Sequence, residues 1–244
     1  QAALTAHRRG HRVTLLEKSR LGGQFSLAFL SPGKERMEKP FRSMVAQVER
    51  SGIEVRLGEQ ATLETLEAHS PDAVVIATGS CPARPDIPGL DDAITGEEIL
   101  AGTREAGDRV LILGGGMVGL EVAEFLAGRG KQVAVLHRHE EVAHDMDPIG
   151  RKLVLKRIAA LSVELHMMTN LVRIVDGRVF VENRGDEREL GQFDTVVITG
   201  NHSFDPLSEQ LQGMKFAVKV IGDAEKPGSI YQAVSSGHEV GLAV

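Results

Sequence analysis

The chain has 244 residues, 42% hydrophobic and 25% charged, enough for one large or two small units with true cores, and a poor composition for disorder. Its 34 acidic and 28 basic residues leave a net charge of −6, and the basic residues are scattered, so nucleic acid is not an expected partner. The one cysteine, Cys81, excludes an internal disulfide, a CxxC redox pair, a cysteine-ligated iron-sulfur cluster and a zinc finger within the chain, and a reducing, cytoplasmic compartment fits best.

No apolar run reaches the roughly 18 residues needed to span a bilayer, so no membrane partner is expected. Gln1 to Arg9 reads as the back of an amphipathic helix stopped at Gly10, and Arg12 to Leu16 as a strand. Lys34 to Arg50 reads as helix, Ile53 to Leu57 as strand and Leu63 to His69 as a short helix. Ala73 to Ala77 (AVVIA) has the continuous apolar character of a strand buried on both faces. Pro82, Pro85, Pro88 and Gly89 block helix across Cys81 to Leu90, the best linker candidate.

A second unit follows: strand Arg109 to Leu113, helix Met117 to Ala127, strand Gln132 to Leu136 and helix Pro148 to Ala160. From Val163 the period changes, and Leu171 to Val175 and Arg178 to Asn183 flank Asp176-Gly177, a pair suited to a tight hairpin turn within a small antiparallel meander. Phe193 to Thr199 and Ala217 to Ile221 read as strands, and Ser229 to Val244 as a closing helix. The expected fold class is α/β: two Rossmann-like dinucleotide-binding units and the meander, with residues 1–93 and 206–244 forming a discontinuous first unit and 94–205 the second.

The clearest chemistry-bearing motif is Gly114-Gly115-Gly116-Met117-Val118-Gly119, between the strand RVLIL and the helix VGLEVAEFL. Glycines there permit a tight turn, close approach of backbone to a pyrophosphate and close helix-to-strand packing, while the helix N-terminus offers free N–H groups and a positive dipole. About 20 residues further on, where an acid would read the adenosine ribose of NAD, stand His137, Arg138 and His139. With no carboxylate to repel it, a 2′-phosphate can be met by Arg138 with help from the imidazoles, which favours NADP over NAD; these residues are otherwise a solvated loop.

In the first unit Glu17 ends the strand RVTLL, where a carboxylate can hold an adenosine ribose, or simply stand exposed. Lys18 follows, and then Gly22-Gly23-Gln24, a turn that lets backbone pass close to a flat ring system. Ala77-Thr78-Gly79 makes a similar turn after the buried strand. Gly222-Asp223 sets an acid after another strand, suited either to a cofactor's ribityl chain or pyrophosphate, or to capping the turn. Cys81 reads as a packed small hydrophobe without an activating neighbour, and His144 and His202 as surface residues; no metal site is expected.

The segments LLEK to LGGQ (Leu15 to Gln24), ATG (Ala77 to Gly79), IPG (Ile87 to Gly89), GGGMVGLE (Gly114 to Glu121) and VIGDA (Val220 to Ala224) occur in the order found in two-dinucleotide-binding flavoproteins. RVTLLEKSRLGGQ, the PGKE of Pro32 to Glu35 and the SGHEV of Ser236 to Val240 resemble the C-terminal half of the 2,4-dienoyl-CoA reductase and trimethylamine dehydrogenase family of NADH:flavin oxidoreductases. That resemblance covers essentially the whole chain. It implies FAD contact at Glu17, Gly22, Gly23, Gln24, Thr78, Gly79 and Asp223, nicotinamide nucleotide contact at Gly114, Gly116 and Gly119, and Glu121 either near the nicotinamide or on the helix surface. Gly200, in the Thr199 to His202 stretch that replaces a more usual basic run, is counted with the nucleotide-side contacts.

The resemblance also implies an N-terminal barrel with FMN, a 4Fe-4S cluster and the organic substrate, none of which lies in this chain. The expected function is then an electron-input module passing hydride from NAD(P)H to FAD and on to the barrel domain, the chain being inactive alone. Two alternatives stay open: a non-catalytic ADP- or FAD-binding module, as in trimethylamine dehydrogenase-like members, and a stand-alone ferredoxin-reductase-like flavoprotein. A homo-oligomer is compatible with either. Because Glu17 already ends a second strand, the first strand and glycine turn of the first unit are expected before Gln1, and the chain by itself is expected to hold FAD weakly.

Overall fold

The computed structural model describes residues 1–244. In chain order the elements begin with α1 (Ala2–Arg8), β1 (Thr14–Glu17), α2 (Phe25–Ala28), a 3₁₀ turn (Glu35–Met37) and α3 (Glu38–Arg50). Next come β2 (Glu54–Leu57), α4 (Leu63–His69), β3 (Ala73–Ile76), β4 (Ser80–Pro82), β5 (Ile94–Thr95) and α5 (Gly96–Ala101). The glycine motif lies between β6 (Arg109–Leu113) and α6 (Met117–Ala127), and β7 (Gln132–His137) and α7 (Pro148–Ala160) follow. The rest is β8 (Glu164–Met167), β9 (Thr169–Val175), β10 (Arg178–Asn183), β11 (Asp186–Gln192), β12 (Thr195–Ile198), β13 (Asn201–Ser203), β14 (Ala217–Val220), a 3₁₀ turn (Gly222–Ala224) and α8 (Ile230–Ala243).

The chain divides into two compact units, the first of residues 1–29, 36–81 and 201–244, the second of residues 30–35 and 82–200. The observed boundaries at 81/82 and 200/201 thus precede the expected 93/94 and 205/206, and residues 30–35, expected in the first unit, belong to the second. The proline-rich stretch is part of the second unit because it is tied to the meander: Ile174 N–H donates to the Pro88 carbonyl at 2.9 Å, and a Cβ on Gly89 would stand 2.2 Å from the Ile174 carbonyl oxygen.

In the second unit five parallel strands run in the order β5-β12-β6-β7-β8. Strand alternation assigns their side chains to two cores. Val110, Ile112, Val133 and Val135 join Leu120, Val122, Leu126, Val154 and Ile158 of the helices, while Leu111, Ala134 and Leu136 join Val179 and Val181 of the antiparallel meander β9-β10-β11 and Phe193 just after it. Both sheet faces are therefore dry, which is why RVLIL and QVAVL are apolar after their exposed first residues, Arg109 and Gln132. Asp176 and Gly177 turn between β9 and β10 with φ of 50° and 76°, the positive values a tight hairpin needs.

In the first unit β1 pairs with β2 and β3 with β14, each pair parallel, and β4 pairs with β13. Val74, Ile76, Leu66, Leu207, Leu211 and Ala224 form its core, with Leu16 packed against them. Helix α1 lies tightly on α8, since a Cβ on Gly241 would meet Thr5 Cβ at 2.7 Å. The expected helix from Lys34 opens as a 3₁₀ turn and becomes α-helical at Glu38; Pro40 in its first turn costs nothing, because the N–H it lacks would have no partner there. No helix is long and apolar enough to cross a membrane.

Candidate functional site

The glycine turn of the second unit is built as its residue types require. Gly114 has φ of 115°, in the left-handed region, and a Cβ on Gly119 would lie 1.8 Å from the Gly114 carbonyl oxygen, so strand and helix meet at a distance only glycine allows. Thr199 braces the same spot, its hydroxyl donating to the Leu113 carbonyl at 2.9 Å, and Gly200 follows it. Gly116 is the N-cap of α6 and contributes no side-chain bond, so Met117 and Val118 open the helix with their amides turned outward.

The loop after β7 holds this turn from the other side. Gly115 N–H donates to His137 Nδ1 at 3.2 Å, His137 Nε2 lies 2.9 Å from the Glu141 carbonyl, and Ala143 N–H donates to the Gly115 carbonyl at 2.7 Å. Met117 N–H donates to both carboxylate oxygens of Asp145, each at 3.0 Å.

His137, expected to face the ribose end of a nucleotide, is instead 6% exposed with both ring nitrogens engaged. It is the last residue of β7, whose two faces are both covered, and its task is to support Gly115. Arg138 and His139 are exposed, Arg138 Nε donating to His139 Nε2 at 3.1 Å. His144 is exposed, as expected of a surface residue; its ring stacks on that of His137 with centroids 6.0 Å apart and meets that of His139 edge-on at 5.8 Å. No group of three or more His, Cys, Asp or Glu is arranged to hold a metal ion.

Glu121 is 7% exposed and forms an ion pair with Lys34 of the PGKE segment. The helix-surface alternative for Glu121 therefore gives way to a buried, charge-compensated carboxylate one turn into α6. Lys34 was not a sequence candidate; PGKE stood out only as a resemblance, and nothing in local spacing announces a partner in a distant helix. Its ammonium also lies 3.8 Å from Met117 Sδ.

In the first unit Glu17 Oε1 accepts from Ser19 N–H at 2.8 Å and from its hydroxyl at 3.2 Å, which pins the carboxylate at the strand end, and Lys18 stands 5.5 Å over the Phe204 ring. Gly22 and Gly23 have φ of 98° and 48°. A Cβ on Gly22 would strike the Phe41 ring at 2.2 Å, so that glycine makes room for Phe41, whereas Gly23 and Gly79 have no atom within 4 Å of where a Cβ would stand. Ala77 and Thr78 are exposed at the end of β3, and the Thr78 hydroxyl donates to the Phe204 carbonyl.

Ser80 joins two candidates, Gln24 and Asp223: its hydroxyl lies 3.3 Å from Gln24 Oε1 and 3.4 Å from Asp223 Oδ2, and Gln24 Nε2 donates to the Ser80 carbonyl at 3.3 Å. Asp223 also accepts from Gly228 N–H at 3.1 Å, beside Gly222 with φ of 60°. These short polar groups around open glycines fit the close approach of a flat ring and its ribityl chain. Cys81 is not without a neighbour: β4 and β13 set its Sγ 3.1 Å from His202 Nε2.

Two α/β units, one interrupted by the other and carrying an intact glycine turn, define the plan of a flavoprotein reductase with paired dinucleotide sites. Residues 1–200 match the pyridine nucleotide-disulphide oxidoreductase family, and the chain belongs to it. It is 36% identical to an NADH oxidase of Thermoanaerobacter brockii, over 98% of this chain and 38% of that protein. It is 30% identical to a bilirubin reductase of Mediterraneibacter gnavus, again over 98% of this chain and 38% of the relative. The solved 2-naphthoyl-CoA reductase in complex with 2-naphthoyl-CoA superposes with a TM-score of 0.91 at 30% identity, over 100% of this chain and 38% of that one. The chain thus spans little more than a third of the length of these relatives, and the resemblance to the C-terminal half of larger flavin reductases is borne out.

Proposed function

We propose that this chain is the electron-input module of a larger flavoprotein, taking hydride from NAD(P)H to FAD and sending electrons on to an FMN and iron-sulfur barrel domain outside the chain. The observation that carries this reading is the intact turn from Gly114 to Gly119, whose backbone geometry admits a pyrophosphate at the start of α6. Bound FAD would supply the redox chemistry, and the protein's share is positioning and electrostatics. Gln24, Thr78, Gly79 and Asp223 would hold FAD in the first unit. In the second, Gly114, Gly116 and Gly119 would seat the nucleotide phosphates, Arg138 and His139 would meet a 2′-phosphate, and the buried Glu121–Lys34 pair would stand near the nicotinamide. No side-chain acid or base is required.

The test is anaerobic mixing of the intact flavoprotein with NADPH or NADH, followed by flavin absorbance. Bleaching is expected with at least one nucleotide. Gly119→Ala should slow flavin reduction by roughly a hundredfold, because a displaced turn misplaces the donor. Glu121→Gln, which keeps the side chain's shape, should slow it less, and neither should alter re-oxidation by an organic acceptor. If neither nucleotide bleaches the flavin, the module is a non-catalytic binder of ADP or FAD.

A further inference from the structure

We infer that Asp145 occupies the pyrophosphate seat of the second unit, so that an incoming dinucleotide must displace its carboxylate and this side chain sets nucleotide affinity. The inference rests on the nicotinamide nucleotide reading given above. Helix α6 begins at Met117 behind a glycine N-cap that supplies no side-chain acceptor, and Met117 N–H is given to both oxygens of Asp145 at 3.0 Å. That amide, at the positive end of the helix dipole beside the glycine turn, is the kind of group a pyrophosphate takes. A Cβ on Gly116 would lie 3.2 Å from Asp145 Oδ2, so the carboxylate already fills the space that the missing side chain leaves open.

Asp145 has no second structural duty to explain its place. The cap of the following helix is Asp147, which accepts from Ile149 N–H at 3.0 Å and Gly150 N–H at 2.9 Å. The loop is anchored independently by Ala143, which is fully buried, has φ of 55° and donates to the Gly115 carbonyl at 2.7 Å. Asp145 itself is exposed, so a side-chain rotation would release its charge into water without burying it. A carboxylate and a phosphate cannot share one amide, because both are anions and each needs the same N–H.

The test is calorimetric titration of the intact flavoprotein and its Asp145→Asn and Asp145→Ala variants with ADP-ribose, with adenosine as the phosphate-free control. Asn keeps an oxygen for Met117 N–H and hence the helix cap, but removes the competing charge. The Kd for ADP-ribose should fall about five- to tenfold in Asp145→Asn, while that for adenosine stays put. Wild-type binding with an unchanged or weaker Kd in Asp145→Asn overturns the inference alone and leaves Asp145 as a cap. Absence of ADP-ribose binding in wild type and variants overturns the nucleotide reading and the inference together.

Discussion

His137 and Arg138 are neighbours in sequence with opposite fates. One points under the glycine turn and the other into solvent, because His137 is the last residue of β7, whose two faces are both covered, and Arg138 lies just past the strand end. Arg138 is exposed, and on the nucleotide reading proposed above Arg138→Glu in the intact protein should raise the KM for NADPH far more than that for NADH, by placing a carboxylate against the 2′-phosphate. Steady-state kinetics with both nucleotides decides the matter, and equal responses would remove the preference for NADP. Burial pushes the His137 imidazole below its ordinary 6.5; the hydrogen bond to the Glu141 carbonyl opposes this, and His139, His144 and Arg138 add to the depression. The folded state then binds fewer protons than the unfolded one between the depressed value and 6.5. The stabilisation is complete above 6.5 and is lost as pH falls through the folded value. Thermal melts between about pH 8 and pH 5 should show wild type losing Tm on the acid side more steeply than His137→Asn, which keeps an acceptor for Gly115. Parallel curves would clear His137 of that role.

Among the elements, those bounded by a local punctuating signal coincide with their expected limits: α4, β6, α6, α7 and β10 begin and end where a capping residue, a glycine turn, a proline at N1 or a turn pair puts them. The elements that escaped are short or owe their existence to a partner. β5 is two residues long and is a strand only because Ile94 and Thr95 pair with Val197 and Ile198. β4 lies at the edge of the proline-rich stretch and is made by its pairing with β13. Helix α5 did carry a signal, the capping box of Thr95 and Glu98, but at six residues its period is too brief to stand out. The same distinction governs the candidate sites. Glycine turns are written in consecutive residues and were legible, whereas the Glu121–Lys34 pair, the Ser80 link between Gln24 and Asp223, and the Cys81–His202 contact join residues far apart in the chain.

At the scale of the whole molecule, the first unit is interrupted by the second, and this bears on the order in which the chain folds. Strand β3 cannot find β14 until everything from Pro82 to Gly200 has been made, for Ala73 is opposite Ala217. In an unstructured chain that closure would carry the entropy of a long loop. The second unit needs no such wait, because its sheet and meander lie almost wholly between Ile94 and Ile198. Once folded, it brings its own ends together: Ala83 N–H donates to the Gly200 carbonyl at 2.8 Å. The intervening residues then count as a short tether, and β3 and β14 meet as if separated by a few residues. Pulsed hydrogen exchange during refolding should accordingly protect the amides of Arg109–Leu113 before those of Ala73–Ile76, and simultaneous protection would mean that the two units fold as one cooperative body. On the ribosome, the interrupting unit would serve as the clamp that lets the interrupted one close.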